Sequence, residues 1–408
     1  MKNFFIFGFL FAALTSAFAV EVPATHGMAS STYPLATDAG VEVLKSGGNA
    51  IDAAVAVGLT LGVVDGHNSG IGVGCFMLIR LADGRFIAID GREKAPAAAT
   101  RDMFVRDGKA DTTLSQTGPL ASGVPGEIAA FDYAVKKFGK KKFGELFAPG
   151  VKIAEEGFPL KKIYAARLKL EAADLKNFKD SQRIFFKDGQ PLKEGDILKQ
   201  PDLAKTYRAL AEHGSDWFYR GPFAMATAAW MQAHGGIMTA RDFADYSIKL
   251  REPVTTDYRG YKVVTFSPPS SGGVHLLEML NTLENFDLKK MDAATRLQVI
   301  AETMKLAFAD RAFWLGDPDF AKVPRRRVRN DSARRPARRN HPSGRSAKRR
   351  CRARRLWNQT QCSPCRCRRP SYPPRRPRKN ASCACRKKHP WRQRAVRHAW
   401  EQAWRGRD

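Results

Sequence analysis

The chain has 408 residues, 43% of them hydrophobic, enough for one large core or two ordinary domains, which excludes a wholly disordered protein. A net charge of +29 would point to nucleic acid or an anionic membrane if it were evenly spread, but 30 of the 69 Lys and Arg and only 3 of the 40 acids lie in residues 324–408. The preceding part, with 39 basic and 37 acidic residues, carries no charge excess that would call for a polyanion.

In chain order, Lys2, an apolar run over 4–14 and Ala17-Phe18-Ala19 form the charged, apolar and small-residue regions of an export signal. The expectation is removal of residues 1–19, a secreted or periplasmic protein, and no membrane attachment after cleavage, since the apolar run is short for a bilayer span. Helical spacing over 35–45 ends at Gly47-Gly48, and 51–64 is apolar almost all round, which predicts an interior helix. Short β-prone runs over 76–81 and 85–90 meet at Asp83-Gly84, a hairpin signal. Further helices are predicted over 127–138, 146–156, 204–213, 223–234 and 294–313, with a second hairpin, 254–258 and 261–266, turning at Arg259-Gly260. This mixture lacks a regular βαβ alternation, so the predicted class is α+β, helices layered on antiparallel or mixed sheet.

Beyond Val323 aliphatic periodicity stops, and runs such as Arg325-Arg326-Arg327 and Arg366-Cys367-Arg368-Arg369 dominate. Residues 324–408 are therefore expected to be disordered, too poor in aliphatic side chains to offset their ordering entropy. Six of the seven cysteines lie there, leaving Cys75 alone in the body and no disulfide framework. Cys362-x-x-Cys365-x-Cys367 and Cys383-x-Cys385 fit no familiar zinc finger and lack the apolar residues of a metal-folded module, so no metal is expected.

Several ordered strings carry a family resemblance. They are Gly27-Met28-Ala29-Ser30-Ser31, Gly47-Gly48-Asn49-Ala50-Ile51-Asp52-Ala53-Ala54, Ser69-Gly70-Ile71-Gly72-Val73-Gly74, Asp90-Gly91-Arg92-Glu93-Lys94-Ala95-Pro96, Ser122-Gly123-Val124-Pro125-Gly126-Glu127, Pro268-Pro269-Ser270-Ser271-Gly272-Gly273 and Leu306-Ala307-Phe308-Ala309-Asp310-Arg311. Over residues 24–323 the chain resembles the large subunit of a secreted γ-glutamyltransferase (glutathione hydrolase). The resemblance implies an N-terminal nucleophile hydrolase fold, an αββα sandwich from a self-cleaving precursor, of which the small-subunit half is missing. It also implies glutathione and other γ-glutamyl compounds as substrates and no cofactor. The new N-terminal threonine of the small subunit would attack the γ-glutamyl carbonyl, with its own amine as base. Arg92 matches the large-subunit arginine that clamps the α-carboxylate of the γ-glutamyl group, a task for a planar permanent cation; an ordinary surface arginine is the blander alternative.

The chain departs from the family at the nucleophile. Its threonine pairs, Thr112-Thr113 and Thr255-Thr256, lie well inside the large-subunit region, and no string like Thr-Thr-His-Phe-Ser follows. No catalytic residue is carried over, and the chain is expected to be inactive. A shift of reading frame near codon 324 would account for both the basic tail and the missing half. The competing reading is a noncatalytic protein that binds γ-glutamyl ligands through Arg92 or polyanions through the tail, although no specific nucleic acid is expected of an exported chain. Gly70-x-Gly72-x-Gly74 lacks the spacing of a dinucleotide fingerprint and is read as tight backbone packing. Ser270 and Ser271 are read as lying on a Pro- and Gly-flanked loop, explained by the turn chemistry of Pro268-Pro269, and lack a nucleophile-elbow context; His67 and His275 are read as packed or capping histidines.

Overall fold

A computed structural model describes residues 24–323. The export signal expected at 1–19 and the tail with its cysteine strings lie outside the described residues.

Helix α1, Pro34–Lys45, opens with proline in its first turn, where a missing N–H costs nothing, and stops at Gly47, which adopts φ +91°. Helix α2, Ala50–Val64, is sealed by a capping box between Asn49 and Asp52. The fully buried Asp52 carboxylate also accepts the Lys140 and Lys141 N–H groups, tying α2 to a distant loop. Val55, Ala56, Leu59, Val63 and Val64 are entirely enclosed, so the helix runs through the core as its all-round apolar sequence predicts.

Strands β1, Cys75–Arg80, and β2, Phe86–Gly91, pair antiparallel with Cys75 opposite Gly91, and Gly84 takes a positive φ at the turn. Helix α3, Glu127–Phe138, packs Ile128, Phe131 and Ala134 into the core beside them. Helices α4, Ala148–Glu156, and α5, Pro201–His213, lie against α2 and each other; Tyr207 of α5 is fully buried and donates its hydroxyl proton to the Leu59 carbonyl at 2.9 Å. A third strand, β3, Lys249–Arg251, joins the free side of β2, with Ala88 opposite Arg251. Among the described residues β1 therefore forms an open edge of a three-stranded antiparallel sheet.

The second hairpin, β4, Val254–Tyr258, and β5, Tyr261–Thr265, turns through Arg259 and Gly260, both at positive φ. It packs on helix α6, Ser271–Leu283, which in turn packs on the long helix α7, Ala293–Trp314. No helix among the described residues is long and apolar enough to cross a membrane.

Two local readings shift. The helix expected from 146 begins at Ala148, after a 3-10 turn over Phe143–Phe147, because Pro149 has no N–H to donate and is suited to a first turn. Ser270 and Ser271, expected on a loop, instead form the N-cap and the first residue of α6. A β-carbon on Gly273 would lie 2.0 Å from the Phe266 carbonyl, so this glycine serves close packing rather than a turn. The helices over Lys162–Leu170 and Lys179–Phe185 have no counterpart in the sequence reading.

Candidate functional site

Arg92 sits one residue beyond the end of β2, and its backbone is held from both sides. Its N–H donates to Asp90 Oδ1 at 3.1 Å, and its carbonyl accepts the Tyr246 hydroxyl at 2.8 Å. Tyr246 stacks on Tyr219 with ring centroids 5.5 Å apart, and the Tyr219 hydroxyl donates to the Pro125 carbonyl. The backbone carrying Arg92 is thus fixed to the start of α3 through two tyrosines.

The glycine run 70–74 packs beneath it. A β-carbon on Gly74 would lie 2.5 Å from the Glu93 nitrogen and 2.6 Å from the Arg92 α-carbon, so tight packing explains Gly74; Gly72, by contrast, faces open space. Val73 accepts N–H bonds from Gly126 and Glu127, and the Glu127 carboxyl accepts from the Gly70 N–H.

The Arg92 guanidinium is exposed and lies over the Phe76 ring at 5.9 Å, with Phe266 packed against Phe76 at 4.5 Å. Among the described residues it makes no side-chain hydrogen bond or ion pair, so its donors are uncommitted. It faces a cleft of about 220 Å³ shared with Lys94, Tyr246, Lys249, Pro269 and Asp319. An exposed guanidinium supported on one face by an aromatic ring can present its edge to a planar anion such as a carboxylate.

Burial dominates the chemistry nearby. Glu127 is 5% exposed, and desolvation pushes its carboxyl up to about 8 against the single stabilising bond from Gly70. Burial likewise raises the Cys75 thiol far above its ordinary range, with Glu127, Asp90 and Glu93 adding to the shift, so it stays a neutral thiol rather than a nucleophile.

The other candidates are not assembled into a catalytic group. Thr112 and Thr113 lie on a short exposed helix, while Thr256 donates to Asn281 from within β4. Ser270 occupies the N-cap position of α6 without a side-chain capping bond and is not hydrogen-bonded to His275, which instead contacts Glu278 at 3.1 Å. His67 lies 3.3 Å from Asp65 and edge-on to Tyr164, in a separate cavity of about 390 Å³. Among the described residues no group of His, Cys, Asp and Glu could hold a metal.

Residues 36–361 match the family model described as Gamma-glutamyltranspeptidase. The chain belongs to this family. It is 48% identical over 307 residues to the glutathione hydrolase proenzyme of Escherichia coli strain K12, covering 74% of this chain and 53% of that protein. The corresponding Bacillus subtilis strain 168 proenzyme is 42% identical over 305 residues, covering 73% of this chain and 51% of its own length. The chain thus spans about half the length of these curated relatives. The crystal structure of Helicobacter pylori gamma-glutamyltranspeptidase superposes with a TM-score of 0.74 at 42% identity, over 76% of this chain and 90% of that one. The fold is that of the N-terminal nucleophile hydrolases to which this family belongs, with helices and antiparallel sheet layered as the sequence predicts.

Sequence reasoning singled out Arg92 but not its supports. Asp90 and Glu127 stand inside the quoted motifs, whereas Tyr246 and Arg251 lie more than 150 residues away in sequence and carry no local signal.

Proposed function

We propose that this chain is the large-subunit half of a γ-glutamyltransferase, a glutathione hydrolase, and that Arg92 binds the α-carboxylate of the γ-glutamyl group. The observation that carries the reading is the exposed, uncommitted Arg92 guanidinium, braced by Phe76 and pinned through Asp90 and Tyr246 within the family's own motif. Glutathione and related γ-glutamyl compounds are the substrates this implies, hydrolysed or transferred to an amine.

The body, residues 20–323, supplies binding and framework; the attacking threonine comes from a nucleophile-bearing half, so the 408-residue chain alone is inactive. The open edge of β1 supports this. A groove of about 500 Å³ lies beside it, walled by Ala50, Ile51, Gly58 and Phe131, and an unpaired strand edge of this kind can take up a further strand. Residues 1–19 direct export to the periplasm or exterior, and residues 324–408 are the product of a shifted frame.

Co-expression tests the assignment. The chain is produced alone, and then with the nucleophile-bearing half of the Escherichia coli relative, and hydrolysis of a chromogenic γ-glutamyl anilide is followed. Turnover only in the combined sample is expected, and its loss with Arg92→Gln. Turnover by the chain alone would refute the inactivity, and no turnover in a stable combined complex would refute the large-subunit role.

A further inference from the structure

The cleft beside Arg92 contains a charge bridge with no part in the chemistry described so far. Arg251, at the end of β3, is 12% exposed in its side chain and lies between two carboxylates. Its Nε donates to Asp90 Oδ2 at 2.9 Å, and its Nη1 and Nη2 donate to the two oxygens of Asp319 at 2.7 and 2.9 Å. The other Asp90 oxygen receives the Arg92 N–H. One guanidinium therefore reaches both the backbone of Arg92 and the segment after α7 that walls the cleft with Asp319 and Phe320.

Enclosing a cation and a carboxylate together is costly, and such a bridge adds little to stability compared with an apolar replacement of similar volume. What it supplies is geometry. The planar fork fills three donor positions at fixed angles, which a lysine ammonium on its flexible stem cannot reproduce. It also sets the local charge. Arg251, with Lys249 and Lys94 beyond it, holds the Asp319 carboxyl below its usual range, so this acid stays ionised but compensated. Of the four acids that line the cleft, Arg251 pairs Asp90 and Asp319, while Glu93 and Asp317 have no ion pair among the described residues.

We infer that Arg251 is a positioning residue for Arg92: through Asp90 it fixes the backbone that aims the Arg92 guanidinium, and through Asp319 it fixes the facing wall of the cleft. The inference rests on the reading of Arg92 as the carboxylate-binding residue, and it assigns a role to the Asp90–Arg251–Asp319 bridge in setting affinity for γ-glutamyl compounds.

The test uses the full chain and two measurements. Amide hydrogen exchange at Arg92 reports the bond to Asp90 without any ligand, and calorimetric titration with glutathione reports the site. Arg251→Lys is expected to speed Arg92 exchange and weaken glutathione binding, each by about tenfold or more, as loss of a charge-assisted bond implies. Exchange at Ile89, held in the strand ladder, stays unchanged, which a general loosening of the fold would not allow. Asp319→Ala, at a half-exposed position, should shift both readouts in the same direction and carries the test if Arg251→Lys does not fold. Wild-type exchange and affinity in the folded variants would overturn the positioning role. Arg92→Gln separates the two readings: if glutathione binds that variant as well as the wild type, the assignment of Arg92 fails, and the exchange measurement alone decides the role of Arg251.

Discussion

Replacing Glu127 with glutamine should make the protein more stable in alkali and leave it nearly unchanged in acid. Glu127 is enclosed at the start of α3, and its neighbours Cys75, Tyr207 and Tyr219 are all held neutral by burial. Among the described residues no cation offsets its charge, and only the Gly70 N–H favours the ionised form. Its carboxyl is raised from 4.5 to about 8. Below pH 4.5 both folded and unfolded chains hold the proton, and the buried acid costs nothing. Between 4.5 and 8 the unfolded chain gives the proton up while the folded one keeps it, so stability falls by about 1.4 kcal/mol per pH unit. Above 8 the folded chain also ionises, and the accumulated loss levels off at about 5 kcal/mol.

Glutamine keeps the shape and an acceptor for the Gly70 N–H but has no proton to lose. Urea unfolding of wild type and Glu127→Gln at pH 5, 7 and 9 should therefore give curves that diverge with pH, the variant gaining as alkalinity rises. Parallel pH dependences would refute the argument, because they would mean that Glu127 is already ionised in the fold or is compensated by a charge the structure does not show.

Three further outcomes follow from close packing and capping. Gly126→Ala places a β-carbon 1.9 Å from the Tyr246 hydroxyl and 2.3 Å from the Gly91 carbonyl; overpacking plus loss of the Tyr246–Arg92 bond should cost about 2–4 kcal/mol in urea unfolding. Asp52→Ala removes the capping box of α2 and the acceptor for Lys140 and Lys141, with an expected loss of about 3 kcal/mol and a lower thermal midpoint. Leu78→Lys, on the outward face of the open strand β1, should reduce self-association of the isolated chain in sedimentation velocity; unchanged sedimentation would show that this edge does not drive it.

Legibility in the sequence followed the range of the interactions. Local signals sufficed for α2, whose composition permits only an interior position, and for both hairpins, where Gly84 and Gly260 take the positive φ their turns need. The break before Ala148 was less visible because Leu146 and Phe147 continue the apolar pattern and are themselves buried. Gly272-Gly273 reads as a loop from its neighbours alone, since the contact that demands Gly273 lies on Phe266, across the chain's own return. The site divides in the same way. Arg92 was reachable through its motif, whereas Tyr246 and Arg251 contribute single bonds across long sequence separations. Strand β3 is three residues long, too short for its alternation to register.

Helix α7 bears on why the proposed half-enzyme needs its complement. Over 22 residues it buries only Thr303 and Ala307, while Leu297, Leu306, Phe308 and Phe313 are each more than half exposed. Covering what is still exposed of these four side chains would contribute about 4–7 kcal/mol before ordering costs, a large share of the stability of an ordinary domain. The same helix leads into Asp319, which Arg251 links to the Arg92 cleft. If the nucleophile-bearing half covers α7, it anchors one wall of the cleft through the same contact that stabilises the framework. Assembly and substrate binding would then be coupled through Arg251, and the arginine's affinity for a carboxylate should rise when the two halves meet.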